Sequence, residues 1–349
     1  MLVRLLALLG AAVSLPNVLL DTDLGTDFDD AFALHYLLAI SQPSDPRALI
    51  SLRLIQVSTC DTTKRAQIAA YILDTLGRFD VEVAVGDYEG TCGLPEFPIA
   101  ANYSLATFVS RGGRVSYGTS RMAALLAEGT PAVPMYVVEI APATSLGGVL
   151  IAQPGLAAGA AVVAMSGSIK FGYDNSSHCD AEYNVRANVT ASKAMYAAEF
   201  AVPLMTAPLD STVFDQFNGA TYGALLTANA SEAAPYAQSL IAHYVCWYEN
   251  GGKNYGAMLP FSPFAGPDQG TSTMYDVQAA WSLVYAASNT SVPWMQTEFV
   301  PLVVNSSGFT VADADGRLVL VQAQWTPASE TRDIVQNVGA EVIAAIIAA

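Results

Sequence analysis

The residues best suited to chemistry are aspartates crowded near the N-terminus. Five of them fall within ten positions of the stretch NVLLDTDLGTDFDDAFAL, residues 17–34, namely Asp21, Asp23, Asp27, Asp29 and Asp30. Carboxylates this close raise one another's pKa and destabilise a fold unless a positive charge lies among them. Hard divalent cations such as Ca²⁺ and Mg²⁺ prefer oxygen ligands. The stretch therefore predicts a divalent-cation site.

Two simple explanations do not account for this cluster. In an EF-hand counted from Asp21, the sixth position requires Gly and is Thr26, and the twelfth requires Glu and is Phe32. An acidic helix N-terminus would place Asp29 and Asp30 at the positive end of the helix dipole. That arrangement explains only two of the five aspartates.

A phosphatase of the haloacid-dehalogenase type is an enzymatic alternative, because it also places D-x-D after an apolar strand. Asp21 would be its nucleophile and Asp23 its acid in a metal-assisted phosphoryl transfer. That pattern calls for a lysine and then a later acidic pair, whereas the pair Asp29-Asp30 follows here at once and lysines are few. The alternative stays open on the sequence.

The elements that must position these side chains form an α/β pattern. Apolar runs at residues 17–20, 52–57, 135–140 and 160–165 each end in a polar loop, and the first loop leads into helical spacing over residues 29–40. Apolar runs alternating with helices predict a mostly parallel, open, Rossmann-like sheet flanked by helices. Ligands in such sheets bind beyond the carboxyl ends of the strands, where the acidic loop is expected.

The later half of the chain is predicted to be more helical and to contain one hairpin. Residues 309–321, FTVADADGRLVLV, predict two strands joined by a turn at Asp315-Gly316. No linker, repeat or low-complexity segment divides the chain. A single domain over residues 15–349 is therefore expected.

The charge balance excludes several partners. The chain has 349 residues, a net charge of −16 and no basic run. Nucleic acids and anionic membranes are bound through clustered Lys and Arg, so neither is an expected partner. No apolar stretch reaches the ~20 residues that span a bilayer. The oligomeric state is not fixed by the sequence, and a homo-oligomer stays open.

The N-terminus predicts secretion. Residues 1–14, MLVRLLALLGAAVS, have a short basic start, an apolar stretch and a small-x-small end, as in a signal peptide. If they are not a signal, the protein is cytoplasmic. Asn-x-Ser/Thr sequons predict a glycoprotein and occur at Asn102, Asn175, Asn188, Asn229, Asn289 and Asn305. The four cysteines show no C-x-x-C spacing, and one or two disulfides of open pairing are possible in an oxidising compartment.

Residues 17–34 resemble the N-terminal signature of nucleoside hydrolases, the inosine-uridine preferring nucleoside N-ribohydrolases. That signature is an apolar strand, D-x-D, a Gly turn and D-D-A at a helix start; here the turn is two residues longer, which adds Asp27. VVEIAPATSLGGVL, DAEYNVRANVTASKAMY, APLDST and MYDVQAAW are similar to later family segments and follow in the same order. Ala141, Ser145 and Tyr275 depart from the family residues at their positions.

The resemblance implies Ca²⁺-dependent hydrolysis of the N-glycosidic bond of a ribonucleoside, giving nucleobase and ribose. It implies a Ca²⁺ held by the side chains of Asp23, Asp30 and Asp276 and by the backbone carbonyl of Thr144. Asp23 would also be the general base toward water. Negative charge around the sugar would stabilise an oxocarbenium-like transition state.

The resemblance also implies the sugar contacts. Asp29 would bond a ribose hydroxyl, with Asp27 as a second candidate. Glu182 and Asn184 would hold the other hydroxyls and the 5′ end. Asn175 lies near a ribose-binding Asn of the family, but it is also a sequon, and a glycan there would block a pocket.

The resemblance also implies that the nucleobase is contacted by Asp61, Tyr275, Tyr244 and Tyr248. Tyr275 would donate a proton or stack on the base, and as an aromatic in place of His it favours purines; plain packing is its alternative. Tyr244 and Tyr248 are equally well explained as a core stripe of a helix. A secreted Ca²⁺-binding glycoprotein of the same fold without turnover is the non-enzymatic alternative.

Overall fold

The structure is a computed structural model. It describes residues 15–87, 90–231, 233–252, 270–288, 295–322 and 328–349, apart from the side chains of residues 175 and 328–336. The predicted signal peptide, residues 1–14, and the sequon at Asn289 lie outside the described residues.

Strands and helices alternate along most of the chain. The strands are β1 (Asn17–Thr22), β2 (Ser51–Val57), β3 (Glu82–Val85), β4 (Arg114–Tyr117), β5 (Met135–Glu139), β6 (Ala160–Met165), β7 (Met205–Ala207), β8 (Thr297–Val304), β9 (Thr310–Ala312) and β10 (Arg317–Gln322). The α-helices are α1 (Asp29–Ala39), α2 (Thr62–Thr75), α3 (Leu105–Ser110), α4 (Ser120–Leu126), α5 (Thr144–Ala152), α6 (Tyr183–Ala187), α7 (Val189–Ala197), α8 (Leu209–Thr212), α9 (Gly219–Asn229), α10 (Pro235–Glu249), α11 (Tyr275–Ser288) and α12 (Ala328–Ala348).

The described strands form one ten-stranded sheet in the order β4-β3-β2-β1-β5-β6-β7-β10-β8-β9. Each neighbouring pair from β4 to β10 is parallel, whereas β8 runs antiparallel to both β10 and β9. The prediction of a single α/β domain with a mostly parallel sheet is confirmed. None of the described helices has the length and apolar character needed to cross a membrane.

The central strand β1 contributes to cores on both faces of the sheet. Val18 and Leu20 pack into one core together with α1 and α11, and Leu19 packs into the other with α5 and α7. Successive side chains of a strand point to opposite faces. A strand buried on both faces therefore reads as a continuous apolar run, as NVLL does.

The predicted hairpin over residues 309–321 is wrong. β9 and β10 do not pair with each other, because β8 lies between them: Leu302 of β8 is opposite Ala312 on one side and Arg317 on the other. The chain does turn before β10, where the amide of Gly316 donates to the Asp313 carbonyl (2.9 Å). Turn residues mark where a chain reverses, but strand partners depend on the register of the whole sheet.

The segment that joins β1 to α1 is fixed by neighbouring elements. Residues 23–30, called the acidic turn below, include Gly25 at φ 112°, which favours glycine. The Gly25 carbonyl accepts from the amide of Glu96 (3.3 Å), and the Thr26 carbonyl accepts from Nε1 of Trp247 in α10 (2.9 Å). The turn is thus held from outside by backbone contacts.

Glu96, one of the residues that hold the acidic turn, also belongs to a buried acid–imidazole pair. The Glu96 carboxyl contacts Nδ1 of His243, and both residues are almost completely buried. Burial raises the pKa of Glu96 to about 8, although the Arg65 charge opposes the shift, and burial lowers the pKa of His243 to about 3. Both shifts favour the neutral forms, in which the carboxyl O–H can donate to Nδ1 of the imidazole.

Glu96→Gln should flatten the dependence of stability on pH. Because the folded-state pKa of Glu96 exceeds its ordinary value of 4.5, its stabilising contribution is complete at acid pH and is lost as the pH rises through about 8. His243 has the opposite sign, and its contribution is lost as the pH falls toward 3. Urea titrations at pH 6.5, above which the His243 contribution is constant, and at slightly alkaline pH should show a loss on the order of 1–3 kcal/mol in wild type that is reduced in Glu96→Gln. The exposed Glu128→Gln is the control; equal slopes in all three proteins would contradict the assignment.

Candidate active site

A cavity of about 300 Å³ opens at the carboxyl edge of the parallel sheet. Among the described residues it is lined by Asp23, Thr26, Asp27, Asp29, Asp30, Ile140, Met165, Tyr173, Glu182, Tyr183, Asn184, Tyr275 and Asp276. Asp23 follows β1, Ile140 follows β5 and Met165 ends β6. The site therefore lies where ligands bind in open α/β sheets.

Three aspartates of this lining lie close together. Asp29 and Asp30 begin α1, and Asp276 lies in the first turn of α11. Each can offer a carboxylate oxygen within 4.8 Å of the other two. Carboxylates are favoured at helix N-termini by the helix dipole. The three oxygens suit a hard divalent cation, so the donor set fits Ca²⁺.

Burial is the main electrostatic feature of the cluster. It raises the pKa of Asp29, Asp30 and Asp276 well above the usual range, and repulsion among the neighbouring carboxylates raises each pKa further. The hydroxyl of Thr22 donates to Asp30 and opposes this shift. Protons or a cation must therefore neutralise the cluster near pH 7.

The three-aspartate cluster overlaps the predicted ligand set without matching it. Asp30 and Asp276 belong to both, but the third member is Asp29, which was predicted to contact ribose. Asp23 lines the same cavity, and its Oδ2 lies 3.9 Å from Nη2 of Arg65. Burial raises the pKa of Asp23, and the Arg65 charge opposes this.

Thr144 is not among the lining residues. It begins α5, and its hydroxyl accepts from Nδ2 of Asn188 (3.1 Å). By this point the chain has turned away from the sheet edge into the helix. Ile140, directly after β5, lines the cavity instead, and its carbonyl accepts a long hydrogen bond from Nδ2 of Asn184 (3.4 Å).

The predicted pair Glu182 and Asn184 lies on the cavity wall. Glu182 is the N-cap of α6, and its carboxylate accepts from the amides of Asn184 (2.6 Å), Gly167 (3.0 Å) and Val185 (3.2 Å). Burial raises its pKa to about 7 despite these bonds. Nδ2 of Asn184 donates to the Met165 carbonyl (3.1 Å). Both side chains are thereby fixed.

Asp27 also lines the cavity, next to the cluster. Its carboxylate accepts from the amide of Phe28 (3.1 Å). Burial raises its pKa to about 7, and the charge of Asp23 contributes. The longer turn thus adds one more acid to the wall, as the sequence indicated.

The aromatic residues divide between cavity and core. Tyr275 lines the cavity and meets Tyr173 edge to face, with ring centroids 6.3 Å apart. Tyr244 packs on Phe28 at 4.5 Å in the core, and neither it nor Tyr248 is among the described lining residues. The helical spacing of this pair did not distinguish a pocket wall from a core.

Two other predicted contacts lie elsewhere. Asp61 is outside the lining; its carboxylate accepts from the amide of Cys92 (2.9 Å) and pairs with Lys64 (3.0 Å). The hydrogen bond from the Cys92 amide and the positive charges of Lys64 and Arg65 hold the pKa of Asp61 below its usual value. The backbone of Asn175 belongs to a short 3₁₀ turn, Tyr173–Asn175, beside the cavity, and its side chain is outside the described set.

Some lining residues were not predicted. Ile140 and Met165 sit where strands end, so the strand pattern alone could have indicated them. Tyr183 follows the predicted Glu182 directly. Tyr173 carried no local signal, since only the loop geometry brings it to Tyr275.

Replacement of Asp276 should separate metal binding from folding. Asp276→Asn removes one charge from the cluster, so the metal-free variant should melt at a higher temperature than wild type. The same change should weaken Ca²⁺ binding at least tenfold and remove the stabilisation that Ca²⁺ gives. Calorimetric titration and thermal melts with and without Ca²⁺ check both effects. Asp315→Asn in an exposed turn is the control, and wild-type Ca²⁺ affinity in Asp276→Asn would refute the cluster as a metal site.

Comparison with known proteins places the chain among relatives of the same fold. The fold is similar to that of a plant nucleoside hydrolase, with 13% identity, a TM-score of 0.67 and coverage of 94% of this chain and 98% of that one. A nucleoside hydrolase from Bacillus anthracis is 17% identical with a TM-score of 0.60, covering 94% and 100%. The type III effector protein XopQ, solved with adenosine diphosphate ribose, is 18% identical with a TM-score of 0.60, covering 99% and 97%.

The family assignment comes from sequence. No curated protein matches the chain significantly. Residues 18–341, however, match the profile of the inosine-uridine preferring nucleoside hydrolases. Because this match spans most of the chain, the protein belongs to that family and is a hydrolase of N-glycosidic bonds.

Proposed function

We propose that the protein hydrolyses ribonucleosides to nucleobase and ribose with the help of Ca²⁺. The observation that carries the proposal is the meeting of Asp29, Asp30 and Asp276 in a cavity that also presents Glu182 and Asn184. Family membership supports N-glycosidic hydrolysis of ribonucleosides. The identity of the cation, the base preference and the role of each residue are parts of the proposal.

The proposed ligands are the carboxylates of Asp29, Asp30 and Asp276 and, from the same cavity wall, Asp23. The Ile140 carbonyl replaces that of Thr144 as the candidate backbone ligand, because Ile140 lines the cavity. A bound divalent cation would lower the pKa of a water and orient ribose hydroxyls.

The chain's own residues supply the remaining steps. Asp23 is the proposed general base, since it lines the cavity and its side chain retains 13% exposure. As the glycosidic bond breaks, positive charge grows at C1′ and the surrounding carboxylates stabilise it. Glu182 and Asn184 are proposed to hold the sugar hydroxyls in orientations that their backbone contacts fix.

The base is proposed to bind beside Tyr275 and Tyr173. Burial raises the pKa of both phenols, so each keeps its proton near pH 7. Tyr275 can then stack on the base or donate to it. A larger aromatic surface gains more from such stacking, which favours purine over pyrimidine nucleosides.

The lining charges argue against phosphorylated substrates. Within the described residues, the cavity presents six carboxyl side chains and no Lys or Arg. Phosphate groups are held by cationic side chains, by clustered backbone amides or by a bound cation, and the lining side chains can offer only the last of these. This disfavours the phosphatase alternative and nucleotide substrates.

We also propose that the protein is secreted, as the N-terminal pattern predicts. Cys60 and Cys92 form a disulfide, which suits an oxidising compartment. Asn102 is exposed and accessible to a glycan. Asn188 is a poorer acceptor, because its side chain caps α7 and donates to Thr144.

The activity is tested by offering inosine, uridine, adenosine diphosphate ribose and a phosphate monoester to purified protein with Ca²⁺ or with chelator. Free ribose from inosine and uridine, lost with chelator, is the expected result, with inosine the better substrate. Released phosphate alone would refute the proposal. Ca²⁺ binding with no product from any compound would indicate a binding protein instead.

Substitutions of Tyr275 distinguish stacking from proton donation. If the ring acts by stacking, Tyr275→Phe retains activity within about threefold, whereas Tyr275→Ala loses on the order of 1–3 kcal/mol of transition-state binding. A loss in Tyr275→Phe as large as that in Tyr275→Ala would assign the hydroxyl as donor. Tyr136→Ala, away from the lining, is the control. Steady-state kcat/KM with inosine is the measurement.

A further inference from the structure

Arg65 is a buried cation beneath the acidic turn. It lies in α2 and is 1% exposed. Its Nη1 donates to the Leu24 carbonyl (2.8 Å), its Nη2 to the Thr26 hydroxyl (3.0 Å) and its Nε to the Cys60 carbonyl (2.8 Å). One guanidinium therefore joins the acidic turn to the loop that follows β2.

The Cys60–Cys92 disulfide lies against the same guanidinium. Nη2 of Arg65 is 3.4 Å from the Cys60 sulfur and 3.2 Å from the Cys92 sulfur. The disulfide bond links the loop after β2 to the loop after β3. Asp61 reinforces this tie, because its carboxylate accepts from the Cys92 amide (2.9 Å).

The second loop returns to the acidic turn. The Thr26 hydroxyl donates to the Gly93 carbonyl (3.4 Å), and the amide of Glu96 donates to the Gly25 carbonyl (3.3 Å). Three consecutive residues of the turn, Leu24 to Thr26, are thus held by Arg65 and by the loop that the disulfide anchors.

These held residues lie between the two acids of the turn that precede α1. Asp23 comes directly before them and Asp27 directly after, and both line the cavity. These contacts oppose displacement of the turn by the repulsion among its carboxylates. A planar guanidinium can bridge several acceptors at fixed angles, which an ammonium group cannot do.

We propose that Arg65, held in place by the Cys60–Cys92 disulfide, is a positioning residue that sets Asp23 relative to the aspartate cluster. The inference rests on the proposed cation site and adds a requirement to it. Arg65 is not itself among the described lining residues, but it contacts two of them: its Nη2 donates to the Thr26 hydroxyl (3.0 Å) and lies 3.9 Å from Oδ2 of Asp23. It acts on Asp23 through the acidic turn and through this ion pair.

The test compares Arg65→Lys with a matched control. Arg78 is also buried, and its guanidinium donates to the Leu38 and Ser41 carbonyls (2.7 and 3.0 Å). These acceptors lie at the opposite end of α1, whose 11 residues span roughly 16 Å. Arg78→Lys therefore reproduces the loss of a buried guanidinium away from the site.

Both variants should melt at a lower temperature, but only Arg65→Lys should change the site. Its Ca²⁺ dissociation constant, from calorimetric titration, should rise about tenfold or more, as when a group that orients a metal ligand is lost. At saturating Ca²⁺, its kcat should fall more than its KM rises, since Asp23 is displaced. Arg78→Lys should retain wild-type affinity within about twofold.

The disulfide is tested by the paired substitution Cys60→Ala with Cys92→Ala. It leaves Arg65 in place but removes its support, so a smaller loss of Ca²⁺ affinity than in Arg65→Lys is expected. Wild-type affinity in Arg65→Lys would overturn the inference while leaving the cation site intact. Absence of Ca²⁺ binding by the wild type would overturn the cation site and the inference together.

Discussion

The repulsion among buried carboxylates is the constraint on which the rest of the structure depends. Asp29, Asp30 and Asp276 are brought within 4.8 Å of one another in a setting that disfavours charge. No globular core needs such an arrangement, and folding must overcome it. The carboxylates are held together by the strands that end at this point and by the two helices that begin there. The hydrogen bonds that hold the acidic turn contribute as well. The proposed binding site for a cation would make this arrangement advantageous.

The parallel sheet explains why so many distant residues share one cavity. Every strand from β4 to β10 in the sheet order points the same way, so the loops after β1, β5 and β6 emerge side by side. Acids then come from the first loop and from α11, and Glu182 and Asn184 come from the start of α6. Chemistry at this edge can vary with the loops while the cores on both faces stay the same. That separation suits a family whose members share a fold at low identity.

Much of the architecture and part of the site could be predicted from the sequence. Apolar runs and helical spacing indicated the sheet, and D-x-D with later motifs indicated the acids, Glu182 and Asn184. Thr144 lies five residues after the end of β5, and motif spacing does not show where a strand stops and a helix starts. Whether Tyr244 and Asp61 line the cavity depends on the direction of their side chains, which short sequence patterns do not encode. Arg65 carried no pattern at all, since its partners come from three loops that only the fold brings together.

The convergence of α1 and α11 has a consequence for the lifetime of the protein. Asp30 and Asp276 are far apart in the sequence, so a cation shared by both would close most of the polypeptide into one loop. Cross-links that close long loops restrict the unfolded chain most strongly. A ligand bound only by the folded state also slows loss to proteases, which act on opened molecules. The calcium concentration around the protein would then set how long it survives as well as whether it acts.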